Sequence, residues 1–306
     1  MQTVRDMRRS SVVAERRASS AKRVSTVLAR QLGSQLLAFR DAVGLNQSHA
    51  AEVLSSQTAK VAKMERGWVP FRDPDIIALC KLYGVEDDAV VAGLLRLAKL
   101  DRERRRAKGW WNALDQGNLR EYIAMEDVAL KVRLWQLSLI PGLFQTADYI
   151  RAMAVPVTSP DEIDDIERIV DVRQKRQALL HGEEPLQVHA VIWEAALRQL
   201  IGGPQAMGRQ LMRLRELAEL PNIRVQVLPL QAGGYPGVGG PFNILSFAEE
   251  SALDVVHMDG LGSTTWVEGV EESAIYANLF GRLCSVSLSP YDSARLIESI
   301  GQELSV

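Results

Sequence analysis

Cysteine is scarce in this chain, which has only Cys80 and Cys284 among its 306 residues. Two cysteines are too few for a disulfide framework or for a zinc site built mainly from thiolates, so we expect reduced thiols that fill space in the core. The four histidines do not follow the spacing of metal ligands. The sequence therefore predicts no structural metal and no cofactor.

Long apolar runs are absent as well. No stretch approaches the roughly 18 residues that a membrane-spanning helix requires, and the N-terminus carries charge where a signal peptide would be apolar. We therefore expect a cytoplasmic protein without a membrane partner. With 47% hydrophobic and 24% charged residues, the composition is that of an ordinary folded chain, and its length favours about two domains.

Charge of both signs is present, but it is divided unevenly along the chain. Residues 1–110 hold 21 Lys and Arg against 12 Asp and Glu, a balance of +9, whereas residues 111–306 hold 15 against 26, a balance of −11. Because lysines and arginines near phosphates release condensed counterions, the basic part predicts an anionic partner such as double-stranded DNA. A solvated basic face without a partner is the alternative.

The basic part has the pattern of a small all-α domain. Apolar residues recur every three or four positions from Thr26, so they share one face of a helix that ends at Gly44. Residues with capping side chains then start four further helices, the last of which runs through about Leu100. Residues 26–100 are therefore predicted to form a five-helix domain, preceded by a basic arm at 1–25. The predicted starts are Asn46, Ser55 or Ser56, Asp73 followed by Pro74, and Asp87.

A second domain follows a charged break. The run DRERRRAKG interrupts the apolar periodicity, which predicts a basic linker over residues 101–111. In residues 112–306 we expect an amphipathic helix around Trp135, and later strands on either side of a helix from about Glu194 to Leu220. The predicted fold class is therefore α+β and multidomain, with an N-terminal all-α domain followed by a mixed α/β domain.

The segment LNQSHAAEVLSSQTAKVAKMERG, residues 45–67, has the layout of a helix-turn-helix. Small Ala51 lets the two helices approach closely, and apolar Leu54, Val61 and Met64 supply contacts beneath them. The short turn redirects the chain so that the second helix projects outward, and the major groove of DNA is wide enough to admit it. A helical bundle that uses this fold for protein contacts is the alternative, which the basic balance around the motif disfavours.

Polar residues on the outer side of this motif are candidates for DNA contacts. Amide, hydroxyl and amine groups along the second helix suit hydrogen bonds to base edges. The start of the preceding helix and the nearby arginines suit phosphates, although a solvated linker is an alternative for the arginine run. The predicted base-reading residues are Ser56, Gln57, Thr58, Lys60 and Lys63, and the predicted phosphate contacts are Gln47, Arg66, Arg104 and Arg105.

The same motif resembles a known family. LNQ at 45–47, the pair Gln57-Thr58 at the start of the second helix, and MERG at 64–67 are similar to the phage repressors and the wider Xre family. The resemblance implies a lambda-repressor-like five-helix fold, a recognition helix in the major groove and a role in transcription. One position departs from the pattern, because Ser55 occupies the turn position that glycine often holds.

The resemblance continues beyond residue 110. The segments SLIPGLFQTADYIRAM, VRQKRQALL, WEAALRQLIGG and NIRVQVLPLQAGGYPGVGGPFNILSF are similar to a C-terminal domain common in actinobacterial Xre regulators, the group that includes WhiJ. This likeness implies transcriptional control and a small partner protein encoded beside the regulator. It supplies no catalytic residues.

A pocket for a small-molecule effector is expected near the domain junction. Aromatic side chains there suit the walls of an apolar pocket. The glycine-rich loop AGGYPGVGGP leads into a strand and not into a helix, so it is not a phosphate-binding loop, and a long hairpin connection is favoured. The predicted pocket residues are Trp110, Trp111, Trp135 and Tyr235.

Together these patterns predict a homodimeric transcriptional regulator that reads a palindromic operator, with a C-terminal domain for sensing, dimerisation or partner binding. An alternative is an anti-activator or antitoxin-like interaction module whose DNA binding is autoregulatory. A third hypothesis is an enzyme that uses Glu194 with a neighbouring histidine, either His189 or His257. No activity motif supports it, so we predict no enzymatic activity and no catalytic residues.

Overall fold

The chain forms two compact units, Met1–Arg105 and Arg106–Val306. No helix in the part of the chain that the structure describes is both long and apolar enough to cross a membrane. The predicted arm up to residue 24, and the predicted pocket residues Trp110 and Trp111, lie outside the described residues. The computed structural model describes residues 25–106, 117–154, 163–247, 254–260 and 263–304.

The N-terminal unit is all-α over its described residues, 25–105, which confirms the predicted five-helix fold. Capping side chains begin two of the helices as expected, but in the helix that starts at Asp73 the N-cap is Arg72, so the expected cap by Asp73 is wrong. Asn46 Oδ1 accepts from the backbone amides of Ser48 and His49, and Asp87 Oδ1 accepts from the amide of Ala89. The helices are α1 (Val27–Ala42), α2 (Gln47–Val53), α3 (Thr58–Glu65), α4 (Asp73–Tyr83) and α5 (Asp88–Arg106).

Helices α1 and α3 meet at the centre of this unit. Leu32 and Leu36 of α1 and Met64 of α3 are each at most 2% exposed, and burial of each such side chain stabilises the fold by about 1.5–3 kcal/mol. Gly33 permits the close approach, because a Cβ atom there would lie 2.2 Å from the carbonyl oxygen of Glu65. The packing fixes the position of α3 within the unit.

The turn between α2 and α3 differs from the prediction in one respect. Gln57 is the N-cap of α3, so the expectation that Ser55 or Ser56 caps this helix is wrong. Ser55 instead has a φ of 46°, the left-handed conformation that glycine adopts without strain. The serine therefore fills a glycine-type position in the turn and is not available as a cap.

Helix α5 continues past its predicted end at Leu100 to Arg106, so the first part of the predicted linker is helical. Two arginines there pair with carboxylates of the same unit. Arg105 Nε donates to Asp101 Oδ2 at 2.8 Å, and Arg102 Nη1 donates to Asp73 Oδ1 at 2.8 Å. These ion pairs extend the helix although its apolar periodicity has ended.

The C-terminal unit is built around one six-stranded sheet, which confirms the predicted mixed α/β class. The strands lie in the order β3-β2-β1-β4-β5-β6. The first three are parallel, and β4, β5 and β6 are each antiparallel to the preceding strand in that order. They are β1 (Lys131–Gln136), β2 (Gln187–Trp193), β3 (Ile223–Leu228), β4 (Phe242–Ser246), β5 (Val255–Gly260) and β6 (Ser263–Val267).

Seven α-helices of this unit fall within the described residues. The single helix predicted from Glu194 to Leu220 is in fact two helices, because Gly202, the N-cap of the second helix, and Gly203, its first residue, adopt φ values of 76° and 81°. The helices are α6 (Gly117–Glu126), α7 (Ala147–Ala154), α8 (Ile163–Arg176), α9 (Glu194–Arg198), α10 (Gly203–Leu217), α11 (Val270–Val286) and α12 (Pro290–Glu303).

Trp135 lies in strand β1, so the prediction of an amphipathic helix around it is wrong. Its side chain is fully buried and packs with Phe242 and with Leu283 of α11 on one face of the sheet. On the opposite face, Leu134, Asn243 and His257 form one row across β1, β4 and β5. Because side chains alternate between the faces of a strand, this second row faces different helices.

The glycine-rich loop also differs from its prediction. Strands β3 and β4 are separated in the sheet by β2 and β1, so the loop between them is not a hairpin connection. It passes the carboxyl ends of β2 and β1 before β4 begins, and Trp135 Nε1 donates to the carbonyl oxygen of Gly237 at 3.0 Å. The non-local order of the strands, which turn residues do not encode, explains the difference.

Candidate nucleic-acid interface and ligand cavity

Helix α3 presents polar side chains on one side and apolar side chains on the other. Val61 and Met64 are at most 1% exposed and anchor the helix in the core. The predicted base-reading residues lie on the outer side: Gln57, Thr58, Lys60 and Lys63 are exposed, and Ser56 is partly buried. The helix therefore offers amide, hydroxyl and amine groups to a surface that docks against it.

A buried carboxylate connects α3 to the start of α2. Glu65 Oε1 accepts from Arg40 Nε at 2.7 Å, and Glu65 Oε2 accepts from Gln47 Nε2 at 2.6 Å. Arg40 also donates through Nη1 to the carbonyl oxygen of Leu45 at 2.7 Å. The hydrogen bond and the charge of Glu65 raise the pKa of Arg40 above its ordinary value. The predicted phosphate ligand Gln47 is thus held in one orientation relative to α3.

The arginines predicted to contact phosphate differ in their surroundings. Arg66 is exposed just after α3, where Gly67 turns the chain with a φ of 71°. Arg105 is partly buried, and its Nη2 donates to the carbonyl oxygen of Gly67 and to Thr26 Oγ1, both at 3.3 Å. Arg104 is also partly buried. The position of Arg66 suits a phosphate contact best, whereas Arg105 fastens the end of α3 to α5.

The C-terminal unit contains a cavity of about 830 Å³ on the face of the sheet opposite to Trp135. Its apolar wall includes Leu119 of α6, Leu134 of β1 and Ile140. Polar side chains from five separate elements also line it. They are Glu126 of α6, Gln136 of β1, Arg173 and Arg176 of α8, Asn243 of β4, and His257 and Asp259 of β5.

A chain of polar contacts crosses the sheet side of the cavity. Gln136 Nε2 donates to Asn243 Oδ1 at 3.0 Å, and Asn243 Nδ2 lies 3.3 Å from His257 Nδ1. The His257 ring packs between the rings of Tyr122 and Trp266, with centroids 4.5 and 4.6 Å away. Burial lowers the pKa of His257 from 6.5 to about 4. The imidazole is therefore neutral at pH 7.

Two arginines face the same cavity with different partners. Arg176 Nε and Nη2 donate to the two oxygens of Glu126 at 2.7 and 2.9 Å, and neither side chain is more than 9% exposed. This pair is a buried, bidentate ion pair. Arg173 Nη1 donates to the neutral amide oxygen of Gln145, and no carboxylate of the described residues pairs with it. Burial, followed by the charge of Arg176, lowers the pKa of Arg173 to about 10.

The N-terminal unit matches a family model described as a helix-turn-helix domain, over residues 31–94. This range contains α2 and α3, together with the network around Glu65. The protein is therefore a DNA-binding helix-turn-helix regulator, as the motif at 45–67 predicts.

The C-terminal unit matches a second model, described as a domain of unknown function (DUF5753), over residues 119–299. That range is more than half of the chain and includes every strand of the sheet. The chain belongs to the DUF5753 family. Comparisons with curated proteins and with solved structures gave no significant match.

The structure brings only some of the predicted pocket residues together in the DUF5753 domain. Tyr235 packs against Trp135 with ring centroids 5.8 Å apart, and against Trp193 at 6.0 Å. Trp135 is 0% exposed, so it fills the core on its own face of the sheet and does not line the 830 Å³ cavity. The predicted pocket and the observed cavity are therefore different places in the domain.

The two histidines of the enzyme hypothesis lie on opposite faces of the sheet of the DUF5753 domain. His189 Nε2 lies 2.8 Å from Gln226 Oε1, and its ring meets Phe280 of α11, on the sheet face opposite to His257. Glu194 is buried, accepts from Arg198 Nε at 2.7 Å and accepts from the backbone amide of Leu230 at 2.8 Å. These contacts give Glu194 a structural task at the start of the glycine-rich loop.

Sequence reasoning missed Arg173, Arg176 and their cavity. Both arginines lie in the segment VRQKRQALL. A signal was present, since Arg173 and Arg176 are three residues apart and share one side of α8 with buried Ile166 and Val170. Arginines on the apolar side of a helix are expensive to bury without a partner, and therefore point to a site.

Proposed function

We propose that this chain is a sequence-specific transcriptional regulator that binds a palindromic operator as a homodimer, and that its DUF5753 domain controls this binding. The observation that carries the proposal is the exposed polar side of α3. Gln57, Thr58, Lys60 and Lys63 extend from a helix whose other side is fixed in the core. Ser56 completes the proposed base-reading set. Gln47, Arg66 and Arg104 are the proposed phosphate contacts, whereas Arg105 is assigned to holding the end of α3 against α5.

A dimer explains how so small a reading surface selects one site. Two recognition helices of a twofold dimer lie about 34 Å apart, one turn of the duplex, so each reads one half of a palindrome. The DUF5753 domain has the opposite net charge to the helix-turn-helix part, which suits it to contacts with proteins or small molecules better than to contacts with DNA.

Genome-wide mapping of DNA bound by the native protein tests the proposal. We expect enriched sites that share a palindrome with half-sites about one duplex turn apart. Enrichment without a common sequence would refute sequence-specific reading. A single half-site, with a monomer in solution, would refute the dimer.

Four finer assignments accompany the proposal. We infer from the sequence resemblance that the regulator is cytoplasmic, non-enzymatic and a member of the Xre family in the WhiJ-like actinobacterial group, with a small partner protein encoded nearby. Co-purification from the native cell tests the last point. A stoichiometric small protein that abolishes operator binding would favour the anti-activator or antitoxin-like alternative, in which DNA binding is autoregulatory.

A further inference from the structure

The cavity of the DUF5753 domain contains a cation that the described residues leave without a counter-charge. Arg173 has one acceptor among them, the neutral oxygen Gln145 Oε1. Gln145 is itself held in place, because its Nε2 donates to the carbonyl oxygen of Ile140 at 2.7 Å, and its backbone carbonyl accepts from Gln177 Nε2 at 2.6 Å. A guanidinium has five N–H donors in a fixed fork, so Arg173 retains donors that suit an oxyanion.

The other charged groups of the cavity do not neutralise Arg173. Glu126 is fully engaged by the bidentate contact with Arg176. Asp259 lies 3.4 Å from His257 Nε2, and its side chain is 74% exposed, so water screens its charge. The positive charge of Arg176 lowers the pKa of Arg173 further than burial alone. An anion bound here would offset both effects.

Two other grooves among the described residues of the domain also contain arginines, but those cations are either paired with carboxylates or, as for Arg224 and Arg295, exposed, so that water screens their charge. Arg209 contacts Asp148 at 2.6 Å, and Arg215 contacts Glu298 at 2.7 Å. The cavity of about 830 Å³ is also within the range of roughly 300–1,000 Å³ typical of small-molecule sites. It combines an apolar wall with a few convergent polar groups, as such sites do.

We propose that this cavity binds a small organic anion, whose carboxylate or phosphate group pairs with Arg173. The body of the ligand lies between the apolar wall of Leu119, Leu134 and Ile140 and the polar chain of Gln136, Asn243 and neutral His257. The amides supply both donors and acceptors there, so they select the ligand body, while Arg173 selects its charge. This inference rests on the proposed control by the DUF5753 domain for its biological meaning.

Binding of four probes to the full-length chain without DNA tests the site. The probes are benzoate, phenyl phosphate, neutral benzamide and inorganic phosphate, and binding is measured by saturation-transfer NMR and calorimetry. We expect benzoate or phenyl phosphate to bind and benzamide not to bind. Benzoate alone indicates a carboxylate ligand, and phenyl phosphate alone indicates a phosphate ester. Equal binding of benzamide, or no binding by any probe at millimolar concentration, would overturn the proposal.

Variants locate the bound anion. Arg173→Gln removes the charge, and we expect affinity for the anionic probe to fall by roughly tenfold or more, as for loss of a charged hydrogen bond. Lys175→Gln is the matched control, because Lys175 is exposed on the same helix and pairs with Asp171. Unchanged binding by Arg173→Gln would overturn the assignment.

A second variant guards against loss of folding in the first. Leu139→Trp fills the cavity without altering its charge, because Leu139 is a partly exposed lining residue, and we expect the same loss of probe binding. Thermal unfolding shows whether each variant is folded. If neither variant folds, the preference of the parent protein for anionic over neutral probes decides whether the anion site exists. Operator binding is measured separately. Operator binding without probe binding rejects this site alone, whereas probe binding without operator binding rejects the proposed function alone.

Discussion

Glu65 accepts hydrogen bonds from Arg40 and from Gln47 at 2.7 and 2.6 Å, so one buried carboxylate joins α1, α2 and α3. The contact connects the stability of the N-terminal unit to the geometry of its DNA-facing side. Removal of one partner from a buried ion pair leaves an uncompensated charge, which is more harmful than the loss of the contact itself.

We expect Glu65→Ala to lower the free energy of unfolding of this unit by about 3 kcal/mol, the low end of the usual range for a broken buried pair. The low end applies because Asp41 also lies 2.8 Å from Arg40. Hydrogen exchange of the α1 and α3 amides measures the loss. Glu52→Ala is the control, because Glu52 is exposed on α2, and a change within about 0.5 kcal/mol is expected. An equally small effect for Glu65→Ala would contradict the assigned role.

Base reading by α3 predicts a loss of specificity without a loss of folding. Gln57 and Lys63 are exposed, so Gln57→Ala and Lys63→Ala should each weaken operator binding by about 1–3 kcal/mol and relax preference at one base pair. Competition binding against operators altered at single positions measures both effects. Lys99→Ala, an exposed change on α5, should leave them unchanged. If the two α3 variants discriminate among operators as the parent does, the readout assigned to them is wrong.

Arg66 and Arg105 should respond differently to replacement by alanine. Arg66 is exposed, so its replacement should reduce the slope of log affinity for DNA against log salt concentration by about one, with little change in stability. Arg105 is bonded to Asp101 and to the Gly67 carbonyl, so its loss should destabilise the unit by about 1–3 kcal/mol. Salt titrations of binding and urea unfolding separate the two. An Arg105→Ala protein that remains stable but binds DNA with a weaker dependence on salt concentration would show that Arg105 contacts phosphate.

The N-terminal unit could be predicted from sequence because its determinants are local. Periodic apolar residues, caps such as Asn46 and Asp87, and the spacing of the motif all lie within a few residues of the structure they specify. The caps of α3 and α4 were the exceptions, because Gln57 and Arg72 occupy those N-cap positions. Ser55 and Ser56 have good capping side chains, but the left-handed φ of Ser55 places the turn one or two residues later.

Only the fold class of the DUF5753 domain could be predicted, because the contacts that determine its structure join residues far apart in the sequence. Trp135 belongs to a strand whose two neighbours, β2 and β4, lie more than 40 residues away along the chain. The cavity draws side chains from α6, β1, α8, β4 and β5, and only the tertiary fold brings Arg173 into one cavity with Asn243 and His257. Sequence spacing does not reveal that arrangement, so the predicted pocket residues were aromatic residues elsewhere.

The left-handed conformation of Ser55 predicts opposite changes in stability for replacement by glycine and by valine. A non-glycine residue in the left-handed region costs about 1–2 kcal/mol, which exceeds the roughly 0.5–1 kcal/mol that glycine loses through added chain entropy. Ser55→Gly should therefore stabilise the N-terminal unit by about 0.5 kcal/mol. Ser55→Val should destabilise it, because a β-branched side chain tolerates a φ of 46° poorly. Urea unfolding measures the stability of both variants. A destabilised Ser55→Gly protein would contradict the backbone strain assigned to Ser55.

The stability of the DUF5753 domain should fall as the pH falls from 6.5 to 4. Burial lowers the pKa of His189 from 6.5 to about 4, so between these values the unfolded chain binds a proton that the folded domain excludes. Excess proton uptake by the unfolded state lowers the free energy of unfolding as the pH decreases, and the loss is complete below pH 4. Above pH 6.5 the contribution is constant. His257 acts in the same direction, because burial lowers its pKa to about 4 as well.

Replacement of His189 isolates its share of this pH dependence. His189→Gln should reduce the slope of unfolding free energy against pH by at most about 1.4 kcal/mol per pH unit, the value for one proton. Urea unfolding of the full chain at several pH values between 4 and 7 measures the slope. His181→Gln is the matched control, since His181 is exposed and its replacement should leave the slope as in the parent. A slope unchanged by His189→Gln would mean that His189 accepts its proton in the folded domain as readily as in the unfolded chain.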